Sequence, residues 1–340
     1  MNTNLTRRSF VAAQAAAASL ALAACGGSNQ SSSDADASAD LTKITFCLDY
    51  TPNTNHTGIY VAQQKGFFAD EGLEVEIVQP AEDTAEAMIG TGQAQLGISY
   101  QDYIANALVG GNTGLQAVAA VIQHNTSGIM SRQEDGVTTA KGMEGKRYAT
   151  WEMPVEQATI KHIVEKDGGD YSKVQLVPYT VDDEISGLKA NMFDTVWVYE
   201  GWAVQNATVQ SYPVNYFSFI SIDDVFDYYT PVIAANNDFC DKNPDVVKAF
   251  LRAAKKGYEF AISDPDGAAD ILCEAVPELD PALVKQSASF LAGEYQSDAA
   301  SWGLIEADRW AAFYQWLNDN NLVEKPIDVN SGWTMDYLEA

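Results

Sequence analysis

Residues 43–66 read KITFCLDYTPNTNHTGIYVAQQKG, and the order of residue types along them decides the fold. Residues 43–48 are β-branched and apolar and predict a short strand. Residues 49–56 mix Asp, Pro, Asn and Thr, which is turn chemistry. Residues 57–65 carry a helix that stops at Gly66, a good residue to end one. Next, residues 73–78 alternate as Leu-Glu-Val-Glu-Ile-Val, a strand that ends before Pro80. The strand–helix rhythm continues: helix 84–89, strand 95–99, helix 102–108 and strand 116–122. It restarts after the polar stretch 132–145, with strands 146–150, 174–179, 195–199, 216–222 and 229–235. Helices 154–165 and 182–190 fall between them. From Pro244 the chain turns helical, with further helices at 266–276, 281–291 and 306–318. Strands alternating with helices predict an α/β fold with mainly parallel sheets, covered on both faces.

At 340 residues the chain is long for one compact core, so two α/β lobes with a cleft between them are expected. Residues 41–131 and 233–340 are assigned to the first lobe and 132–232 to the second. Asp and Glu number 47 against 20 Lys and Arg, a formal charge of −27. Nucleic-acid binding rests on clustered cations, so that partner is excluded. The aromatic content of 11% excludes a disordered acidic chain. A monomer is expected.

Residues 1–24 read as an export signal. Arg7 and Arg8 precede an apolar run, 11–24, broken only by Gln14 and Ser19. Its 14 residues fall short of the roughly 20 that a spanning helix needs. Thr6-Arg7-Arg8-Ser9-Phe10-Val11 resembles a twin-arginine signal, and Leu22-Ala23-Ala24-Cys25 resembles a lipobox, which implies lipidation of Cys25. Residues 25–40 lack large apolar side chains and read as a tether. The expected location is the extracytoplasmic face of a bacterial membrane.

Asp49-Tyr50-Thr51-Pro52-Asn53-Thr54-Asn55-His56-Thr57-Gly58 resembles the signature of bacterial solute-binding proteins for thiamine pyrimidine precursors, a group related to the yeast thiamine-pyrimidine synthase. The resemblance returns in Gly97-Ile98-Ser99-Tyr100-Gln101, Tyr199-Glu200-Gly201-Trp202 and Asp227-Tyr228-Tyr229-Thr230-Pro231-Val232, and spans residues 41–340. It implies the type II periplasmic-binding fold, with a ligand held between lobes that close on it. It also implies ABC permease and ATPase partners and no cofactor.

Ligands of open α/β sheets sit beyond the carboxyl ends of strands. That places Asp49, Tyr50, Asn53, Asn55, His56 and Tyr100 from the first lobe at the expected cleft, with Trp151, Glu200, Trp202 and Tyr229 from the rest of the chain. Tyr50, Tyr100, Trp151 and Trp202 offer faces for a heteroaromatic ring. Asp49 and Glu200 favour an aminopyrimidine over an oxyanion, because like charges repel; each equally caps the turn that follows. Asn53 and Asn55 suit ring edges or a Pro-Asn turn. His56 reads as a ligand contact or a turn anchor, while His124 and His162 read as ordinary.

No nucleophile elbow, phosphate loop or His-Glu-x-x-His is present in the sequence, so no catalytic residue and no metal site are assigned. A synthase that consumes its own histidine is the enzymatic alternative. Riboflavin and sulfonate, taurine or nitrate are the alternative solutes. Cys47, Cys240 and Cys273 read as small buried hydrophobes, with a Cys240–Cys273 disulfide left open.

Overall fold

A computed structural model describes residues 41–80, 84–111, 114–181 and 183–339. The export signal, Cys25 and the tether lie outside the described residues. Among the described residues no helix is long and apolar enough to cross a membrane.

The strands are β1 (Thr42–Cys47), β2 (Leu73–Val78), β3 (Leu96–Ser99), β4 (Leu115–Ala120), β5 (Ser127–Arg132), β6 (Arg147–Thr150), β7 (Gln175–Pro178), β8 (Thr195–Tyr199), β9 (Val214–Ser218) and β10 (Val232–Asn236). The helices are α1 (Thr57–Gln64), α2 (Phe67–Asp70), α3 (Ala85–Gly90), α4 (Gln101–Val109), α5 (Pro154–Lys166), α6 (Glu184–Lys189), α7 (Gln205–Val209), α8 (Asn237–Lys242), α9 (Pro244–Ser263), α10 (Pro265–Ala275), α11 (Pro281–Glu294) and α12 (Ala307–Asp319).

The strands form two five-stranded sheets of matching plan, β2-β1-β3-β10-β4 and β7-β6-β8-β5-β9. In the first, β1 runs parallel to β2 and β3, and β10 is antiparallel to β3 and β4. In the second, β6 runs parallel to β7 and β8, and β5 is antiparallel to β8 and β9. Each sheet is therefore mainly parallel, with four strands running one way and a single reversed strand, β10 in the first and β5 in the second. The reason is connectivity: β5 and β10 are the strands on which the chain arrives from the other sheet, and each enters pointing back. The arrival at β5 also places residues 127–131 in the second sheet, upstream of the expected division at 131/132. The two crossovers are 121–126 and 219–231.

Each sheet is covered on both faces. On the first, Ile44, Phe46 and Leu48 pack with Ile59 of α1 and Phe250 of α9, while Cys47 joins Ile89, Ile104 and Trp310 on the other side. On the second, Tyr148 and Trp197 pack with Ile160 and Ile163 of α5, while Met130 and Val196 meet Ile185 and Leu188 of α6. Gly66 ends α1 with φ of 76°, the left-handed region where glycine is at no disadvantage. Cys47, Cys240 and Cys273 are free thiols, so no Cys240–Cys273 disulfide forms. Burial pushes the Cys47 and Cys240 thiols up to about 11, which leaves them inert packing groups.

Candidate ligand site

The turn after β1 is organised around a carboxylate. Asp49 is almost wholly buried, and its Oδ1 accepts from His56 Nε2 at 2.7 Å. Its Oδ2 accepts from the Tyr100 hydroxyl. The backbone N–H of Asn53 donates to His56 Nδ1 at 3.1 Å, so the ring proton belongs on Nε2. Both nitrogens of this fully buried imidazole are thereby used inside its own turn. Burial alone would raise the Asp49 pKa; the bonds from His56 and Tyr100 outweigh it and hold the group below the usual carboxylate range. Asp49 and His56 therefore shape the turn, and Asn53, Thr54 and Asn55 are what that turn presents. Asn53 Oδ1 caps the turn by accepting from the Asn55 N–H at 2.9 Å. The Asn55 side-chain amide makes no hydrogen bond among the described residues.

The facing turn follows β8. Glu200–Val204 is a π-helical turn, a rare geometry that recurs at functional sites. It rests on α11: Ser287 Oγ donates to the Gly201 carbonyl and lies 2.6 Å from Thr54 Oγ1. A Cβ on Gly201 would stand 2.8 Å from Leu291 Cδ2, so the turn packs closely on the α11 side chains. Between the two turns lies a small cavity of about 20 Å³. It is lined by Asn53, Thr54 and Asn55, by Tyr199, Gly201 and Trp202, by Ile122, Thr126, Thr230 and Pro231 of the crossovers, and by Leu291.

No Lys, Arg, Asp or Glu lines the cavity, but carboxyl groups lie behind its walls: Glu200 precedes Gly201, and Asp102 is close enough to Tyr199 to add to the rise that burial gives its pKa. Asp102, at the start of α4, is pushed up to about 7, chiefly by burial, with the negative charge of Glu86 adding to it. Glu86 is buried and accepts from Ser99 Oγ at 2.7 Å. Glu200 and Glu294, from opposite sides of the cleft, are both raised, first by burial; Glu294 adds to the shift at Glu200. Such a site disfavours an anion and suits a neutral or cationic donor.

Of the residues expected at the ligand, Asn53, Asn55 and Trp202 meet at the cavity, and Asp49, His56 and Tyr100 stand behind it. Glu200 is half-buried beside the wall but is not among the lining residues. Tyr50 is 71% exposed. Trp151 is 42% exposed and lies 5.5 Å, ring to ring, from Trp197 in the second sheet. Tyr229, on the second crossover, is fully buried and does not line the cavity; Arg309 lies 4.2 Å from its ring and its hydroxyl accepts from the Glu306 N–H at 2.8 Å. It belongs to the core under the crossover. The lining residues that sequence reasoning did not assign are Thr54, Tyr199 and Gly201 at the two turns, Ile122, Thr126, Thr230 and Pro231 on the crossovers, and Leu291 on α11. Thr54, Tyr199, Gly201, Thr230 and Pro231 had a signal, since each falls in a stretch that carries the family resemblance.

Several known proteins are similar. A formylaminopyrimidine-binding protein of Halalkalibacterium halodurans is 27% identical over 292 residues, 84% of this chain and 88% of that one. A 4-amino-5-hydroxymethyl-2-methylpyrimidine phosphate synthase of Saccharomyces cerevisiae, THI11, is 26% identical over 312 residues, 87% of this chain and 88% of that one. The periplasmic aliphatic sulphonate binding protein SsuA from Escherichia coli superposes with a TM-score of 0.68 at 14% identity, covering 86% of this chain and 97% of that one. That likeness establishes the fold, a two-lobed periplasmic-binding architecture. The NMT1/THI5-like family matches residues 53–268, well over half of the sequence, and the chain belongs to that family.

Proposed function

We propose that this protein is the solute-capturing subunit of an ABC importer, held outside the cytoplasm by a lipid on Cys25. It takes a thiamine-related aminopyrimidine and hands it to a membrane permease driven by an ATPase. The observation that carries this reading is the cavity itself. An amide-bearing turn, Asn53–Asn55, faces an indole, Trp202, across a space with no Lys or Arg in its walls and with the carboxyl groups of Asp102 and Glu200 behind them. An aminopyrimidine has donors for such groups and a flat face for the indole. A sulfonate or nitrate would meet carboxylates instead of helix-borne donors or Lys and Arg.

The synthase-like relatives keep an enzymatic reading in view. The binding reading is supported by His56, whose ring is buried with both nitrogens committed to Asn53 and Asp49. A solute incubated with the protein is expected to be recovered unchanged by mass spectrometry; a modified product would revive the enzyme.

Calorimetry with an aminopyrimidine, riboflavin and a sulfonate tests the ligand. Trp202→Ala is expected to weaken aminopyrimidine binding by about 1–3 kcal/mol, the range for losing one stacked heteroaromatic contact, or roughly tenfold in Kd. Sulfonate binding by the wild type, with no aminopyrimidine affinity, would overturn the ligand and leave the transport role standing. Cys25→Ala should leave folded protein that no longer sediments with membranes. Sedimentation that survives a high-salt wash would place the anchor elsewhere.

A further inference from the structure

The two crossovers are tied to each other by a compact ionic cluster. His124 and Asn125 lie on the first, Asp227 on the second, Arg309 on α12, and Asp298 between α11 and α12. Asp227 Oδ1 accepts from the Asn125 N–H at 3.0 Å, and its Oδ2 is 2.7 Å from His124 Nδ1 and 3.1 Å from Arg309 Nη1. His124 Nε2 is 2.9 Å from Asp298 Oδ1. Arg309 Nη1 is also 3.0 Å from His124 Nδ1 and donates to the Gln123 carbonyl at 2.8 Å.

The ring nitrogens have two consistent bonding patterns. As an imidazolium, His124 donates from Nδ1 to Asp227 and from Nε2 to Asp298. A neutral ring holds one proton and keeps only one of these bonds; Arg309 Nη1, 3.0 Å from Nδ1 and able only to donate, selects the pattern with the proton on Nε2 for Asp298 and Nδ1 accepting. The bond from the first crossover's imidazole to the second crossover is then lost. We propose that His124, Asp227, Asp298 and Arg309 form a proton-operated clasp between the two crossovers, fastened by the imidazolium and loosened by the neutral ring.

The other charged groups facing the cluster are Glu294 on α11, which feels the His124 charge, and Glu306, whose carboxylate lies 3.7 Å from Arg309 Nη2. Tyr229 accepts from Arg309 on its hydroxyl. Burial of His124 lowers its pKa, but the bonds to Asp227 and Asp298 outweigh this and raise it above the ordinary value. With a raised folded pKa, the clasp is fully present below the unfolded value of about 6.5 and is lost as pH rises through the folded value. Ile122, Thr126, Thr230 and Pro231 of the same crossovers line the cavity, so the clasp sets how firmly the cavity wall is held.

Hydrogen exchange of the ligand-free full chain between pH 5.5 and 8.5, corrected for intrinsic exchange, tests this independently of the ligand's identity. Protection of the Asn125 amide is expected to fall roughly tenfold as His124 loses its proton, the size of a charge-assisted bond. In His124→Gln that pH dependence should vanish. Asp298 is largely exposed, so Asp298→Asn is a safe second variant: it should shift the midpoint, and the His124 ring titration followed by NMR, to lower pH. Unchanged protection in the wild type while the ring titrates would overturn the clasp. So would an unshifted midpoint in Asp298→Asn, or the same pH dependence in His124→Gln.

Discussion

Asp49→Ala is expected to lose about 3 kcal/mol or more of unfolding free energy at pH 7, because two hydrogen bonds to a charged group, each worth roughly 1.5–3 kcal/mol, go together. The loss is compounded: His56 Nε2–H, on a fully buried ring, and the Tyr100 hydroxyl both lose their acceptor. Asp49→Asn should recover part of it, since the amide oxygen can still accept from His56 Nε2 while the NH₂ turns to the Tyr100 hydroxyl, which can accept, but the charge is lost. The sign of the pH dependence follows from the depressed Asp49 pKa. Its stabilisation is present above the unfolded carboxylate value of about 3.9 and is lost as pH falls through the folded value. Urea unfolding at pH 7 and pH 3 should therefore show the mutant and wild type converging in acid. An equal gap at both pH values, or a loss under about 1 kcal/mol at pH 7, would remove Asp49 from the centre of the turn. Ligand affinity should fall alongside stability, because the Asn53–Asn55 turn loses its frame.

The strand–helix rhythm was legible because punctuation and periodicity coincide in this chain. Gly66 stops α1, Pro154 starts α5, and Leu73 and Val75 point inward while Glu74 and Glu76 point out. Strand β5 was not legible. Its sequence, Ser-Gly-Ile-Met-Ser-Arg, has neither apolar alternation nor a continuous apolar run, yet all six residues are buried. Tertiary contacts alone account for that: Arg132 donates to the Leu188 and Phe193 carbonyls at 3.0 and 2.9 Å and pairs with Asp194 at 2.7 Å. Strand direction is equally absent from local pattern, so the one reversed strand in each otherwise parallel sheet, β10 and β5, could not be read from the sequence. At the site, residue type located the turns but not the way side chains point. Asp49 and His56 turn inward, Tyr229 lies in the core, and Thr126 and Thr230 reach the cavity through long-range convergence. The glycine that ends the Asn53–Gly58 stretch gives the clearest physical reason for a residue whose role sequence could not supply.

That glycine is one half of a helix crossing, and the crossing predicts a pair of substitutions of opposite sign. A Cβ on Gly257, inside α9, would sit 1.9 Å from the Gly58 carbonyl oxygen and 3.1 Å from the Ala62 nitrogen. A Cβ on Gly58 would sit 2.3 Å from the ring of Tyr258, which is fully buried and donates its hydroxyl to the Asn55 carbonyl at 2.7 Å. Gly→Ala inside a helix ordinarily stabilises by roughly 0.5–1 kcal/mol through chain entropy. At Gly257 the obstacle is backbone, which no rotamer change can move aside, so α1 and α9 must separate. Overpacking of this kind costs about 1–3 kcal/mol, occasionally more, and outweighs the entropic gain. We expect Gly257→Ala to lose about 2 kcal/mol net on the same scale, and to weaken ligand binding, because α1 carries the Asn55 turn with it. Gly293→Ala on α11 is the control: nothing lies within 4 Å of its Cβ position, so the same chemical change should stabilise by a few tenths to about 1 kcal/mol. Urea unfolding of both variants separates crowding from propensity. Two stabilised variants would mean that α1 and α9 have room the close approach denies, whereas two destabilised ones would place the effect in the helices themselves rather than at their crossing.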